Sequence, residues 1–250
     1  MPIKKIIPCL DMKDGKVVKG INFADMVDIG SPPQLAEEYC RQGADEITFL
    51  DIAASLEQRK TLLSLVSETA KRVTVPLAVG GGIRNADEMG DVLKAGANKV
   101  SVNTAAVTNP GVIAESAERF GKQCVIVAID AKKVDGGWKV VTHGGTKITG
   151  LDAVEWAKKV EDLGAGEILL TSVDADGVKN GYDIPLNIAV ADEVSIPVTA
   201  SGGCGKIEDF YEVLSQTNVA AALAASVFHY KQFTVKDVKE YLRDKGVPVR

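Results

Sequence analysis

The fold this sequence predicts is a single (β/α)8 barrel, an α/β TIM barrel built from two similar halves. Three observations predict it. Apolar strand-like runs and amphipathic helical stretches alternate eight times, with no linker or low-complexity segment between them. The chain is 250 residues long, the usual size of one such barrel, whereas an open doubly wound sheet of this length would more often carry an extra domain. The two halves also repeat each other. Glu46 and Glu167 stand 121 positions apart, as do Pro76 and Pro197, and Thr104 and Ser226 stand 122 apart. So constant an offset implies one domain over 1–250, with half-barrels at roughly 1–122 and 123–250, and every functional element presented twice.

In chain order, strands are expected at 5–11, 46–51, 76–79, 98–103, 124–130, 167–172, 197–201 and 219–224. Helices are expected at 32–43, 57–72, 85–95, 110–120, 151–164, 184–194, 206–216 and 234–245. Ser31, Asn85, Asn109 and Thr234 stand where N-caps belong, and Gly43, Gly96 and Gly164 where helices should stop. Pro8 sits inside the first strand, where it removes a ladder donor. Two segments interrupt the alternation: a long connection at 12–31, and a hairpin around Asp135-Gly136-Gly137. In a barrel both fall on the C-terminal face, where active sites form.

Composition narrows the function. A net charge of −5 argues against nucleic acid and anionic membranes as partners, so an anionic substrate would need a local site. Cys9, Cys40, Cys124 and Cys204 are scattered without a C-x-x-C pair, which reads as free, mostly buried thiols in a reducing, cytoplasmic setting. No signal-like or membrane-spanning run is present. The two histidines, His143 and His229, lie far apart and read as surface or structural; no metal-ligand spacing occurs and no dinucleotide fingerprint appears.

The acid/base candidates are Asp11 and Asp130, each ending an apolar strand, the first and the fifth. Those strands are opposite in an eight-strand barrel, so the two carboxylates would face across its mouth, a layout suited to proton transfer. Taken singly, an Asp at a strand end is more often a helix cap or an ion-pair partner, and Asp51, Asp174 and Asp176 must be weighed in the same way. The Gly-rich ends of the third and seventh strands, and the small polar ends of the fourth and eighth, are phosphate candidates, because glycine lets backbone N–H groups approach an anion. Gly202-Gly203-Cys204-Gly205-Lys206 lacks Walker spacing, and such glycines can simply make tight turns. Two such sites facing each other suggest a substrate phosphorylated at both ends.

Lys5, Glu46, Lys99 and Glu167 stand at strand starts on inward-facing positions. Charges on a barrel floor are costly unless paired. They read either as a structural ion-pair ring or as a gate to a route through the barrel past Cys9, Thr48, Ala78, Ser101 and Thr199 or Ala200.

At these residues the chain resembles the cyclase subunit of imidazole glycerol phosphate synthase, of histidine biosynthesis, from end to end. The resemblance is carried by 6–11 with Lys13-Asp14-Gly15 and Val17-Val18-Lys19-Gly20, by Phe49-Leu50-Asp51-Ile52-Ala53-Ala54-Ser55, and by Val79-Gly80-Gly81-Gly82-Ile83. It continues through Ser101-Val102-Asn103-Thr104-Ala105-Ala106, Asp174-Ala175-Asp176-Gly177, Ser201-Gly202-Gly203 and Ala224-Ala225-Ser226-Val227. It implies a lyase without a cofactor that takes ammonia and the doubly phosphorylated phosphoribulosylformimino-aminoimidazole carboxamide ribotide. The implied products are imidazole glycerol phosphate and aminoimidazole carboxamide ribotide.

By the same resemblance Asp11 and Asp130 are the acid/base pair, and Lys19 lies in a loop that closes on substrate. Gly82, Asn103 and Thr104, with Asp176, Gly177, Gly203, Ala225 and Ser226, bind substrate and its phosphates. Lys5, Glu46, Lys99 and Glu167 form an ammonia gate, beneath which a glutamine amidotransferase (glutaminase) subunit docks at the N-terminal face. Two positions depart from the family's pattern: Lys5 stands where Arg is common, and Asn98 where an acidic residue facing the glutaminase is expected. The alternatives are the sister isomerase of the same pathway, which needs no charged gate, and a catalytically silent barrel scaffold.

Overall fold

The computed structural model describes residues 2–13, 16–21, 24–51 and 56–250, with the side chains of 13, 18–21, 24–29 and 56–61 outside the described set. In chain order the elements are β1 Lys5–Lys13, β2 Lys16–Ile21, β3 Ala24–Gly30, α1 Pro32–Arg41, β4 Ile47–Asp51, α2 Leu56–Ala70, β5 Leu77–Gly80, α3 Ala86–Lys94 and β6 Lys99–Val102. There follow α4 Thr104–Thr108, α5 Gly111–Phe120, a 3-10 turn Lys122–Cys124, β7 Val125–Val134, β8 Gly137–Thr142, β9 Lys147–Asp152, α6 Ala153–Asp162 and β10 Glu167–Ser172. The last are α7 Ile184–Ala191, β11 Val198–Ser201, α8 Ile207–Gln216, β12 Ala221–Ala224, α9 Ser226–His229 and α10 Val235–Asp244.

Eight parallel strands close on themselves in the order β1, β4, β5, β6, β7, β10, β11, β12 and back to β1. The expected barrel is therefore present, with every predicted strand in it. Register repeats between its halves: Asp11 pairs with Leu50 on β1 and β4, and Asp130 with Thr171 on β7 and β10. Each half also carries an antiparallel ribbon off its first strand, β2–β3 on β1 and β8–β9 on β7.

Alternation along the strands separates two cores. Ile6, Leu10, Phe49, Val79, Val127 and Ile168 point outward and pack with the helices in one continuous cluster. Ile7, Cys9, Ala78, Ile126, Leu169, Ala221 and Leu223 form a second cluster, inside the barrel. Thr199 belongs to the interior, where it bonds Glu167, while Ala200 packs in the outer cluster, which settles that choice. Each fully buried Ile or Leu contributes about 1.5–3 kcal/mol, so the outer layer dominates stability.

Pro8 is tolerated because β1 changes neighbours there. Pairing with β12 runs from Lys5 to Pro8, and pairing with β4 begins at Cys9. The Ile6 N–H, on the β4 side, donates to Asp45 Oδ2 at 2.8 Å. Pro8 points the same way two residues on, below the first β4 pair, so its missing donor costs the ladder little.

The expected caps hold at Asn85, whose side chain accepts from the Glu88 N–H, and at Thr234, which exchanges hydrogen bonds with Asp237. Gly43, Gly96 and Gly164 follow helices with φ of 92°, 118° and 99°. Asn109 is a correction: it ends the short α4, and Pro110 caps α5. Cys124 lies in the 3-10 turn and is half-buried, not within a strand.

Candidate active site

Asp11 and Asp130 occupy β1 and β7, with three strands between them on either side of the ring. They follow Cys9 and Ala128 in the inward alternation, so both carboxylates project into the C-terminal mouth. Cys9 Sγ donates to Asp11 Oδ1 at 3.5 Å. Asn103 Nδ2 donates to Asp130 Oδ2 at 2.9 Å. The Asp130 carboxyl is pushed up to about 6, first by burial and then by the charge of Asp176, while the Asn103 hydrogen bond pulls the other way. A carboxyl so placed both gives and takes a proton near neutrality.

The strand ends are duplicated in three dimensions. After β5, Gly81 and Gly82 have φ of 100° and 64°; after β11, Gly202 and Gly203 have 88° and 103°. A Cβ on Gly81 would lie 2.1 Å from the Asp51 carbonyl oxygen, and one on Gly202 would lie 2.8 Å from that of Ser172. Part of the glycine signal is thus structural, since backbone crosses backbone there. Asn103, before α4, has φ −120° and ψ −84°, and Ala225, before α9, has φ −121° and ψ −73°. Thr104 and Ser226 open those two helical turns.

Asp176 and Gly177 lie in the turn after β10, with the Asp176 N–H bonded to the Ser172 carbonyl and Gly177 at φ 77°. Asp174 takes a structural role, its Oδ2 accepting from the Lys133 N–H at 2.7 Å and pinning the hairpin to β10. Lys19 is on β2, but its side chain lies outside the described residues, as do Asp14, Gly15 and 52–55. Sequence reasoning missed His143: its N–H donates to Thr104 Oγ1 at 3.0 Å. The available signal was the hairpin insertion on the C-terminal face.

At the opposite end, Lys99 Nζ bridges Glu46 Oε2 at 2.6 Å and Glu167 Oε2 at 2.7 Å. Thr199 Oγ1 donates to Glu167 Oε1 at 2.8 Å, and Lys5 Nζ stands 4.0 Å from Glu46. Burial and the nearby Glu167 push Glu46 up, against Lys99 and Lys5. Burial pulls Lys99 down, but the two carboxylates outweigh it and its net shift is upward. With two cations and two carboxylates the ring is neutral, as a buried cluster must be. Asn98 does local work, its Oδ1 accepting from the Leu77 N–H at 2.9 Å.

A cavity of about 420 Å³ opens at this floor end, away from the aspartates, and is lined by Asp45, Thr74, Pro76, Lys236, Lys239 and Arg243. Among the described residues, no group of three or more His, Cys, Asp or Glu could hold a metal, and no helix is long and apolar enough to cross a membrane.

Residues 5–234 match the family described as "Histidine biosynthesis protein". The chain is also 54% identical over 247 residues to "Imidazole glycerol phosphate synthase subunit HisF" of Dehalococcoides mccartyi, covering 99% of this chain and 98% of that relative. A repeat written alike into sequence offset, strand register and strand-end backbone thus coincides with a match along nearly the whole length, and the chain belongs to the histidine biosynthesis protein family.

Proposed function

We propose that this chain is the cyclase subunit of imidazole glycerol phosphate synthase. It converts phosphoribulosylformimino-aminoimidazole carboxamide ribotide and ammonia into imidazole glycerol phosphate and aminoimidazole carboxamide ribotide. The observation that carries the reading is the duplicated strand-end geometry on either side of two opposed aspartates. A molecule with a phosphate at each end spans such a mouth, one end at Gly82, Asn103 and Thr104, the other at Gly177, Gly203, Ala225 and Ser226. Its reacting centre then lies between Asp11 and Asp130. Asp130 carries a proton to or from that centre, Asp11 serves the opposite face, and Lys19 closes from the β1 side. Burial first, and the charge of Asp176 after it, raise the proton affinity of Asp130.

Ammonia enters from the floor. Lys5, Glu46, Lys99 and Glu167 form the gate, and above it Cys9, Thr48, Ala78, Ser101 and Thr199 line the way with small side chains. Neutral ammonia crosses such a lining at far less cost than ammonium, because only the ion loses its charge solvation there. The relative's name, a "subunit", supports a partner. A glutamine amidotransferase subunit docks at the N-terminal face, the end of the barrel that also carries the cavity lined by Asp45, Lys236 and Arg243.

The test is turnover of the ribotide by the isolated chain with ammonium chloride at alkaline pH, where free ammonia is abundant. Formation of imidazole glycerol phosphate is the expected result. Binding without turnover would identify a silent scaffold, and turnover of the aminoaldose precursor alone would identify the isomerase.

A further inference from the structure

The hairpin that follows β7 returns to the mouth of the barrel. Val141 of β8 pairs with Asp130, and two residues later the His143 N–H reaches Thr104 Oγ1 at 3.0 Å, across 39 positions of sequence. Thr104 adjoins Asn103, whose amide donates to Asp130. Asp130, Asn103, Thr104, His143 and Val141 thus form a closed circuit around one strand-end cleft.

Within it, His143 has φ 54°, a left-handed conformation that favours glycine, although Gly144 and Gly145 stand directly after it at 63° and 83°. Glycine alone adopts that backbone without strain, and the chain carries a histidine there. Its ring is also held: Nδ1 accepts from the Thr142 hydroxyl at 3.0 Å, which leaves the ring hydrogen on Nε2, and Thr142 is buried. With Nδ1 so engaged, Nε2 is the nitrogen that remains for a ligand. Because Thr104 Oγ1 accepts from His143, its own O–H proton is left to donate elsewhere. Asn103, Thr104 and the glycines after β5 carry no charge, and a ring N–H beside them adds a further donor toward an anion.

We propose that His143 is a further substrate-binding residue, seated at the cleft of Gly82, Asn103 and Thr104 and giving a ring N–H to the phosphate bound there. This rests on the reading of the mouth as a site for a doubly phosphorylated ribotide.

Two variants test it. His143→Gly relieves the left-handed backbone and keeps the N–H that reaches Thr104, so it removes only the ring. His143→Asn tolerates the same backbone and restores an amide donor. In ammonium-dependent turnover, His143→Gly should raise KM about tenfold, as for one lost hydrogen bond to a charged group, with kcat within about threefold of the parent, and His143→Asn should recover part of the loss. Inhibition by the two singly phosphorylated products should weaken for one of them only. A KM within twofold of the parent in His143→Gly, or equal weakening for both products, overturns the proposal. Equilibrium binding of the ribotide to the same proteins reads the contact without turnover, so a chain that binds but does not cyclise would refute the cyclase reading and still decide the role of His143.

Discussion

Asn103 and Asp176 act on Asp130 in opposite senses. The amide of Asn103, 2.9 Å from Asp130 Oδ2, favours the carboxylate, and the charge of Asp176 favours the acid. Asn103→Ala should therefore move the apparent pKa assigned to Asp130 upward from about 6, and Asp176→Asn should move it downward. The check is the acid limb of the kcat profile for ammonium-dependent turnover in each variant. Shifts in the same direction would remove Asp130 from that limb.

Asp11→Asn and Asp130→Asn should each abolish cyclisation while leaving the fold and ribotide binding largely intact. Near-normal turnover in either variant would sink the acid/base assignment.

Asp130 should also oppose stability at neutral pH. Its folded pKa, about 6, is above the ordinary carboxylate value, so the folded state holds the proton more tightly than the unfolded chain. Stability from this group is present below pH 4 and is lost as pH rises through 6. Asp130→Asn removes that loss, and the variant should be more stable than the parent by about 3 kcal/mol at pH 8, with little difference at pH 4. Urea unfolding at the two pH values measures it, and an equal effect at both would refute the burial argument.

Lys99 bridges two carboxylates in a nearly dry site. Lys99→Met leaves Lys5 as the one cation of the ring against Glu46 and Glu167 and should destabilise by about 3–5 kcal/mol. Milder changes, Glu46→Gln and Glu167→Gln, should lower glutamine-dependent turnover with the glutaminase far more than ammonium-dependent turnover. Equal effects on both reactions would return the ring to a purely structural role.

Asp45 joins the first strand to the last helix. Its Oδ2 takes the Ile6 N–H and its Oδ1 pairs with Lys239 at 2.8 Å, all buried. Lys239→Met should cost about 3 kcal/mol in chemical denaturation, because the carboxylate stays buried without its cation. A loss below about 0.5 kcal/mol, the size expected of an exposed pair, would show that water reaches the site.

The barrel was legible because each of its strands is an apolar run closed by a glycine, an aspartate or a small polar residue, and because the halves repeat. Asp11 and Asp130 could be read as a pair only through that repeat. The helical turns at Thr104–Thr108 and Ser226–His229 were not foreseen, being too short to show a helical period. The strand Lys147–Asp152 escaped notice for another reason. It is an edge strand, mostly exposed, with no apolar face to announce it. His143 was read as surface or structural since its partner, Thr104, is distant in sequence and the link runs through a backbone N–H, which any residue but proline could supply. Whether Thr199 or Ala200 faced inward depended on strand parity, which two adjacent small residues do not reveal.

Pairing of β1 with β12 also has a consequence in time. A ribosome delivers β1 first, yet the strand that completes its ladder, Ala221–Ala224, emerges more than two hundred residues later. At translation speeds of roughly 5–20 residues per second, β1 waits ten seconds or more with one edge open. For that interval the nascent chain exposes a strand edge able to pair with a neighbour's. Closure of the ring therefore waits until synthesis is nearly complete, and protection of the nascent edge until then is part of what it takes to make this barrel in a cell.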